Sequence, residues 1–220
     1  MNSTSRQSVD PRLLAALSAE NASTRLQAAL VAGTHPDPAL LGALIDRCAV
    51  EPDFFVRDML TWALTRLPTE LTVPRLRAEL ESDGAQARSQ ALHTLSKIGD
   101  PSVWPVITPA LLRDPDDDVA RSAWRAAVVL VPDAEREALA NELSTQFGRG
   151  DREVRRSLSR ALTTLGEVIL AVLHRAASST DPHVRAHAQA TEQLLRDPEA
   201  AFDLDIDAAK RVAALDGAPC

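Results

Sequence analysis

His183 and His187 stand four residues apart in a helical pattern, a spacing that puts two imidazoles on one face and can hold zinc. Hydrolytic zinc chemistry also needs a carboxylate base, and the intervening Val184-Arg185-Ala186 supplies no glutamate. His174 is the candidate third ligand, but nothing in the pattern fixes it beside the pair. No metal is expected. The two cysteines, Cys48 and Cys220, lie too far apart for a metal or redox motif, and neither has a histidine partner recognisable in sequence. There is no Gly-x-Ser-x-Gly elbow and no glycine-rich phosphate loop. The run Asp114-Pro115-Asp116-Asp117-Asp118 lacks the glutamate-closed spacing of a calcium loop, and reads as a loop feeding the positive end of a helix. The expectation is a chain with no catalytic residues and no cofactor.

Recognition is the chemistry that remains, and its candidates depend on the elements that carry them. Six arginines, Arg25, Arg57, Arg88, Arg121, Arg155 and Arg185, recur at intervals of roughly 30 to 34 residues, the mark of a repeat architecture. Four residues before each stands Asn21, Asp53, Gly84, Asp117, Asp151 or Asp181, and Asp83 precedes the glycine. Asn and Asp start helices by accepting a backbone N–H that the first turn leaves unpaired. Three residues after the arginines come Ala28, Leu60, Ala91, Trp124, Leu158 and Ala188, the apolar face of the helix so started. The fourth copy is irregular. Setting Val119 level with Val56 and Val154 puts Ala123 on the inward row and shifts Arg121 by one.

A second apolar helical pattern precedes each capped one, over 10–19, 38–49, 70–81, 101–112, 133–147 and 167–177. Short connections rich in Pro, Gly and Asp separate them, and no strand-type alternation appears. The spacing predicts twelve helices in six antiparallel pairs, an all-α solenoid. Pro105 and Pro109, and Pro74 in the preceding repeat, should bend or loosen their helices. A tail over 1–9 is expected to be disordered. The repeats occupy 10–196, and 197–220 carries the acidic segment Asp203 to Asp207 and a short helix over 208–215.

Composition agrees. The chain has 220 residues, 45% apolar and 25% charged, with 3% aromatic and no tyrosine, so Leu, Ala and Val must build the core. Against 31 acidic side chains stand 24 basic ones, a formal charge of −7, which disfavours phosphate backbones and anionic lipid as partners. No run is long and apolar enough for a membrane span, the polar start lacks a signal-peptide core, and a cytosolic chain is expected.

Leu95-Ser-Lys-Ile-Gly-Asp-Pro-Ser-Val103, following Arg88 and Ala91, resembles the consensus of short bacterial HEAT-like repeats, the class also found in phycobilisome lyases. Asp181-Pro-His-Val-Arg185 repeats its front half, and the resemblance spans about 10 to 196. It implies a right-handed solenoid in which Asp and Arg form a ladder between units: Arg25, Arg57, Arg88, Arg155 and Arg185, paired with the N-capping Asp53, Asp151 and Asp181. It also implies that the outward face of each capped helix lines a concave surface. Trp62, His93, Arg121, Trp124, Arg125, Arg156 and Arg160 fall there, a Trp- and Arg-rich stripe of the kind found in binding hot spots. The function this implies is a non-catalytic scaffold or adaptor for a protein or acidic peptide. Two enzyme classes on similar repeats are the alternatives, a bilin lyase and a DNA alkyl-base glycosylase, the latter using Trp, Arg and an aspartate such as Asp58. HEAT-type iron hydroxylases carry His-Glu pairs, and none occurs here.

Overall fold

A computed structural model describes residues 10–197, and the expectations for residues 1–9 and for the tail beyond Asp197 lie outside the described residues. The described residues form two compact units, the first ending at Leu130 and the second beginning at Val131. In the first, α1 (Pro11–Leu17) pairs with α2 (Ala22–Thr34), α3 (Leu41–Val50) with α4 (Phe54–Thr65), α5 (Thr69–Glu79) with α6 (Ala85–Ile98), and α7 (Pro109–Leu112) with α8 (Asp117–Leu130). In the second, α9 (Arg136–Ser144) packs with α10 (Arg152–Thr164), and α11 (Leu170–Ala177) with α12 (Pro182–Arg196). No strand occurs among the described residues. The architecture is all-α, of the helical-repeat solenoid class.

The second helix of each hairpin stacks on the next, α2 on α4, α4 on α6, α6 on α8, and in the second unit α10 on α12. Such a helix buries one face against its own hairpin and a flank against each neighbour, as repeat stacking requires. The N-caps are made as expected: Asn21, Asp53 and Asp181 accept from the backbone two residues on, and Asp151 from Val154. In the fourth repeat Asp116, not Asp117, takes the N–H groups of Asp118 and Val119, which matches Asp53 taking those of Phe55 and Val56. Val119 and Ala123 are accordingly fully buried.

Proline has its effect where it falls twice. The expected helix over 101–112 is a 3₁₀ turn, Pro101–Val106, followed by the four-residue α7, whereas α5 runs through Pro74 unbroken. Trp124 closes the space beside the shortened α7. Its ring is fully buried and its indole N–H donates to the Leu112 carbonyl at 2.8 Å.

Candidate functional site

The periodic arginines do not pair with the capping aspartates. Those carboxylates are spent on backbone N–H groups at their own helix starts, as their position requires. Each of Arg25, Arg57, Arg88 and Arg185 instead turns one guanidinium nitrogen back on two carbonyls of its own entry loop: Ala19 and Glu20, Glu51 and Pro52, Ser82 and Asp83, Ser179 and Thr180. The free edge reaches the next repeat where an acid stands two residues before the next cap. Arg25 holds both oxygens of Glu51 at 2.7 Å, and Arg88 holds both of Asp114 at 3.0 and 3.2 Å. At the corresponding places after Arg57 and Arg155 the chain has Ser82 and Ser179, and no such bridge forms among the described residues.

Glu51 is the densest of these nodes. It is fully buried, meets Arg47 at 2.8 Å and accepts the Asp53 N–H at 2.9 Å, while its own carbonyl takes Gln86 of α6. Burial alone would raise its carboxyl, but the Arg25 pairing, the Asp53 N–H and Arg47 outweigh it and hold the group below the ordinary carboxylate range. The same bond raises the Arg25 guanidinium. Neighbouring Cys48 is buried, and that burial pushes its thiol up to about 12, so it is not a nucleophile near neutrality.

The expected stripe divides in the first unit. Trp124 is in the core, contrary to its expected place on an open face, and so are Thr61 and Leu92, its counterparts in α4 and α6. For Trp124 the reason is its own hairpin, where the shortened α7 leaves space for the ring and the Leu112 carbonyl accepts its indole N–H. Trp62 is 37% exposed but its six-membered ring packs against Gly33 of α2. What the structure brings together is a groove of about 750 Å³ over α4, α6 and α8. His93, Arg121 and Arg125 line it, as does Asp58, with the serines Ser89 and Ser122 between them. Neither tryptophan lines it, so the two-tryptophan groove of the glycosylase alternative does not assemble there. Arg156, beside Glu153 at 3.6 Å, and the exposed Arg160 belong to the second unit.

Composition alone did not point to the rim of this groove. Phe54, 65% exposed, lines it with its ring edge-on to Phe55, and the Arg57 guanidinium lies 6.0 Å from the Phe54 centroid. Two of the chain's four phenylalanines directly after an N-cap were the available signal. The floor is rigid: Ser89 Oγ lies 3.0 Å from Ser122 Oγ and donates to the Asp118 carbonyl, tying α6 to α8. Asp58, Asp116 and Asp118 give the groove carboxylates as well as cations. His93 is held below its usual value by burial first, then by Arg125 and Lys97.

In the second unit His187 is buried and both ring nitrogens are engaged. Nδ1 accepts the Gly148 N–H at 3.0 Å, which leaves Nε2 to donate to the Arg155 carbonyl at 2.9 Å, beside Ser159 Oγ at 3.1 Å. Phe147 meets the ring edge-on. Gly148 has φ +86°, a left-handed backbone that glycine adopts without strain. His183 is exposed, so the two histidines do not face one site. No cluster of three metal-ligating side chains occurs among the described residues.

Capped helical hairpins, stacked by their second helices and bridged by arginine, define a HEAT-like repeat. Residues 56–128 match the model for HEAT repeats, a stretch that carries all of the groove lining except Phe54. The chain thus resembles short HEAT-like repeat proteins. Among solved structures it is similar to the complex of CpcE and CpcF of phycocyanin lyase from Nostoc sp. PCC7120, at 18% identity over 89% of this chain and 80% of that one, with a TM-score of 0.47. No curated protein matches. No described helix is long and apolar enough to cross a membrane.

Proposed function

We propose that the protein is a non-catalytic binding scaffold and that the groove over α4, α6 and α8 holds a peptide segment of a partner protein. The observation that carries this reading is the joint placement of Phe54, Arg121 and Arg125 in one groove. Exposed aromatics and arginines are side chains on which protein recognition concentrates, and Arg125 is exposed in the groove with Arg121 half-buried beside it. The hydroxyls of Ser89 and Ser122 hold α6 and α8 together beneath the groove, and HEAT repeats supply a helical scaffold for such a surface. A cytoplasmic protein partner is the accompanying expectation.

A photo-crosslinking residue placed at Gln90, which lines the groove, tests this in native lysate. The reading expects one or a few discrete protein adducts, absent when the same residue replaces the exposed Arg66 outside the groove. Equal labelling from both positions would reject it.

A further inference from the structure

Arg121 and Arg125 stand one turn apart on α8, a spacing at which like charges repel. The protein does little to offset this. Arg121 meets Asp118 at 3.4 Å, but the Asp118 side chain is 80% exposed. Arg125 donates to the neutral Ser122 hydroxyl at 3.0 Å. Arg121 Nε is shut off from solvent and makes no hydrogen bond. Across the floor, His93 of α6 lines the same groove. Arg125 is exposed on the groove side of α8; partial withdrawal from water and then Arg121 lower its guanidinium, Asp118 opposes them, and Arg125 adds to the burial that lowers His93. Arg125 thus has a like charge one turn away and a histidine across the floor, and a bound anion between them would offset that positive charge.

The same groove carries Asp58, Asp116 and Asp118, and the whole chain has a formal charge of −7. A continuous polyanion laid along it would meet those carboxylates, whereas a single carboxylate next to a cation would satisfy both walls. We infer that Arg121 and Arg125 form a carboxylate subsite, and that the peptide the groove takes carries an acidic residue there with a basic residue a few positions away. The basic residue faces Asp58, Asp116 and Asp118, and Phe54 covers the peptide at the rim. This inference rests on the reading of the groove as a peptide site.

Selection of a displayed library of short random peptides on the full chain tests it. The expected winners carry Asp or Glu with Lys or Arg nearby. The best synthetic winner should bind Arg125→Glu at least roughly tenfold more weakly, and Arg66→Glu unchanged. Selection on Arg125→Glu should trade the acidic residue for a basic one; if that variant melts early, Arg125→Gln should show the same loss of affinity. Winners without an acidic residue, or the same winners on Arg125→Glu, would overturn the subsite and leave the peptide reading standing. Failure of the folded wild type to enrich any peptide would remove the peptide reading itself. Salt-sensitive binding of duplex DNA that depends on Arg125 and outcompetes the peptides would overturn the inference in favour of a phosphate ligand.

Discussion

Gly33 of α2 and the indole of Trp62 on α4 share a space that no side chain at 33 could enter: a methyl there would sit 2.2 Å from Trp62 Cζ3 and 2.4 Å from Cε3. The contact belongs to the α2–α4 stacking that sets repeat one against repeat two. Alanine is the better helix former by about 1 kcal/mol, so propensity and packing oppose each other at this position. Gly33→Ala should lose about 1–3 kcal/mol in denaturant unfolding as the ring is forced outward, with a red shift in tryptophan emission. In a Trp62→Ala background the same substitution should instead stabilise by roughly 0.5–1 kcal/mol. A stabilising effect in the wild type would mean that the ring is not packed there.

The repeats are tied by Arg25 and Glu51, not by the capping aspartates, and their costs should differ accordingly. Glu51→Ala strands a buried guanidinium and should cost about 3–5 kcal/mol. Asp53→Ala removes a helix cap and should cost about 1 kcal/mol. Equal losses in paired unfolding curves would return the ladder to Asp53.

His187 makes the second unit sensitive to acid. Burial comes first in holding its ring below the usual value, with the Arg155 charge adding to it and the bond to the Arg155 carbonyl opposing it. The native state therefore binds this proton less readily than the unfolded chain, whose histidine titrates near about pH 6.5. The sign follows: the contribution is complete above about pH 6.5 and falls as the pH drops from there toward the lowered native value. Protonation would also cost the Gly148 N–H its acceptor. Melting temperature should drop between pH 7 and pH 5, and His187→Gln, which keeps a donor and an acceptor without titrating there, should flatten that drop. A wild-type profile identical to that of the variant would contradict the assignment.

Trp124 and Trp62 should separate in a stability assay. Trp124→Ala opens the core and strands the Leu112 carbonyl, at a cost of about 3–5 kcal/mol. Trp62→Ala at a half-open surface should cost less than half as much. Any loss of partner binding in Trp124→Ala would then be traced to unfolding, which circular dichroism reads directly.

Much of the fold is local and so is written locally. The caps Asn21, Asp53, Asp151 and Asp181 act on N–H groups two or three residues away, and apolar rows such as Leu60, Ala91 and Leu158 follow the helix period. Alignment of Val119 with Val56 even placed the irregular fourth repeat, because a valine buried against its own hairpin obeys that same period. Tertiary contacts decided the rest. Glu51 and Asp114 recur in too few copies to stand out as partners of Arg25 and Arg88, and nothing in a helical wheel shows that the shortened α7 would take in Trp124 while Arg121 and Arg125 stay on a groove. Helix starts depend on bonds spanning a turn, whereas the site depends on which flank of each helix its neighbour covers, and that is settled by packing between residues some thirty positions apart.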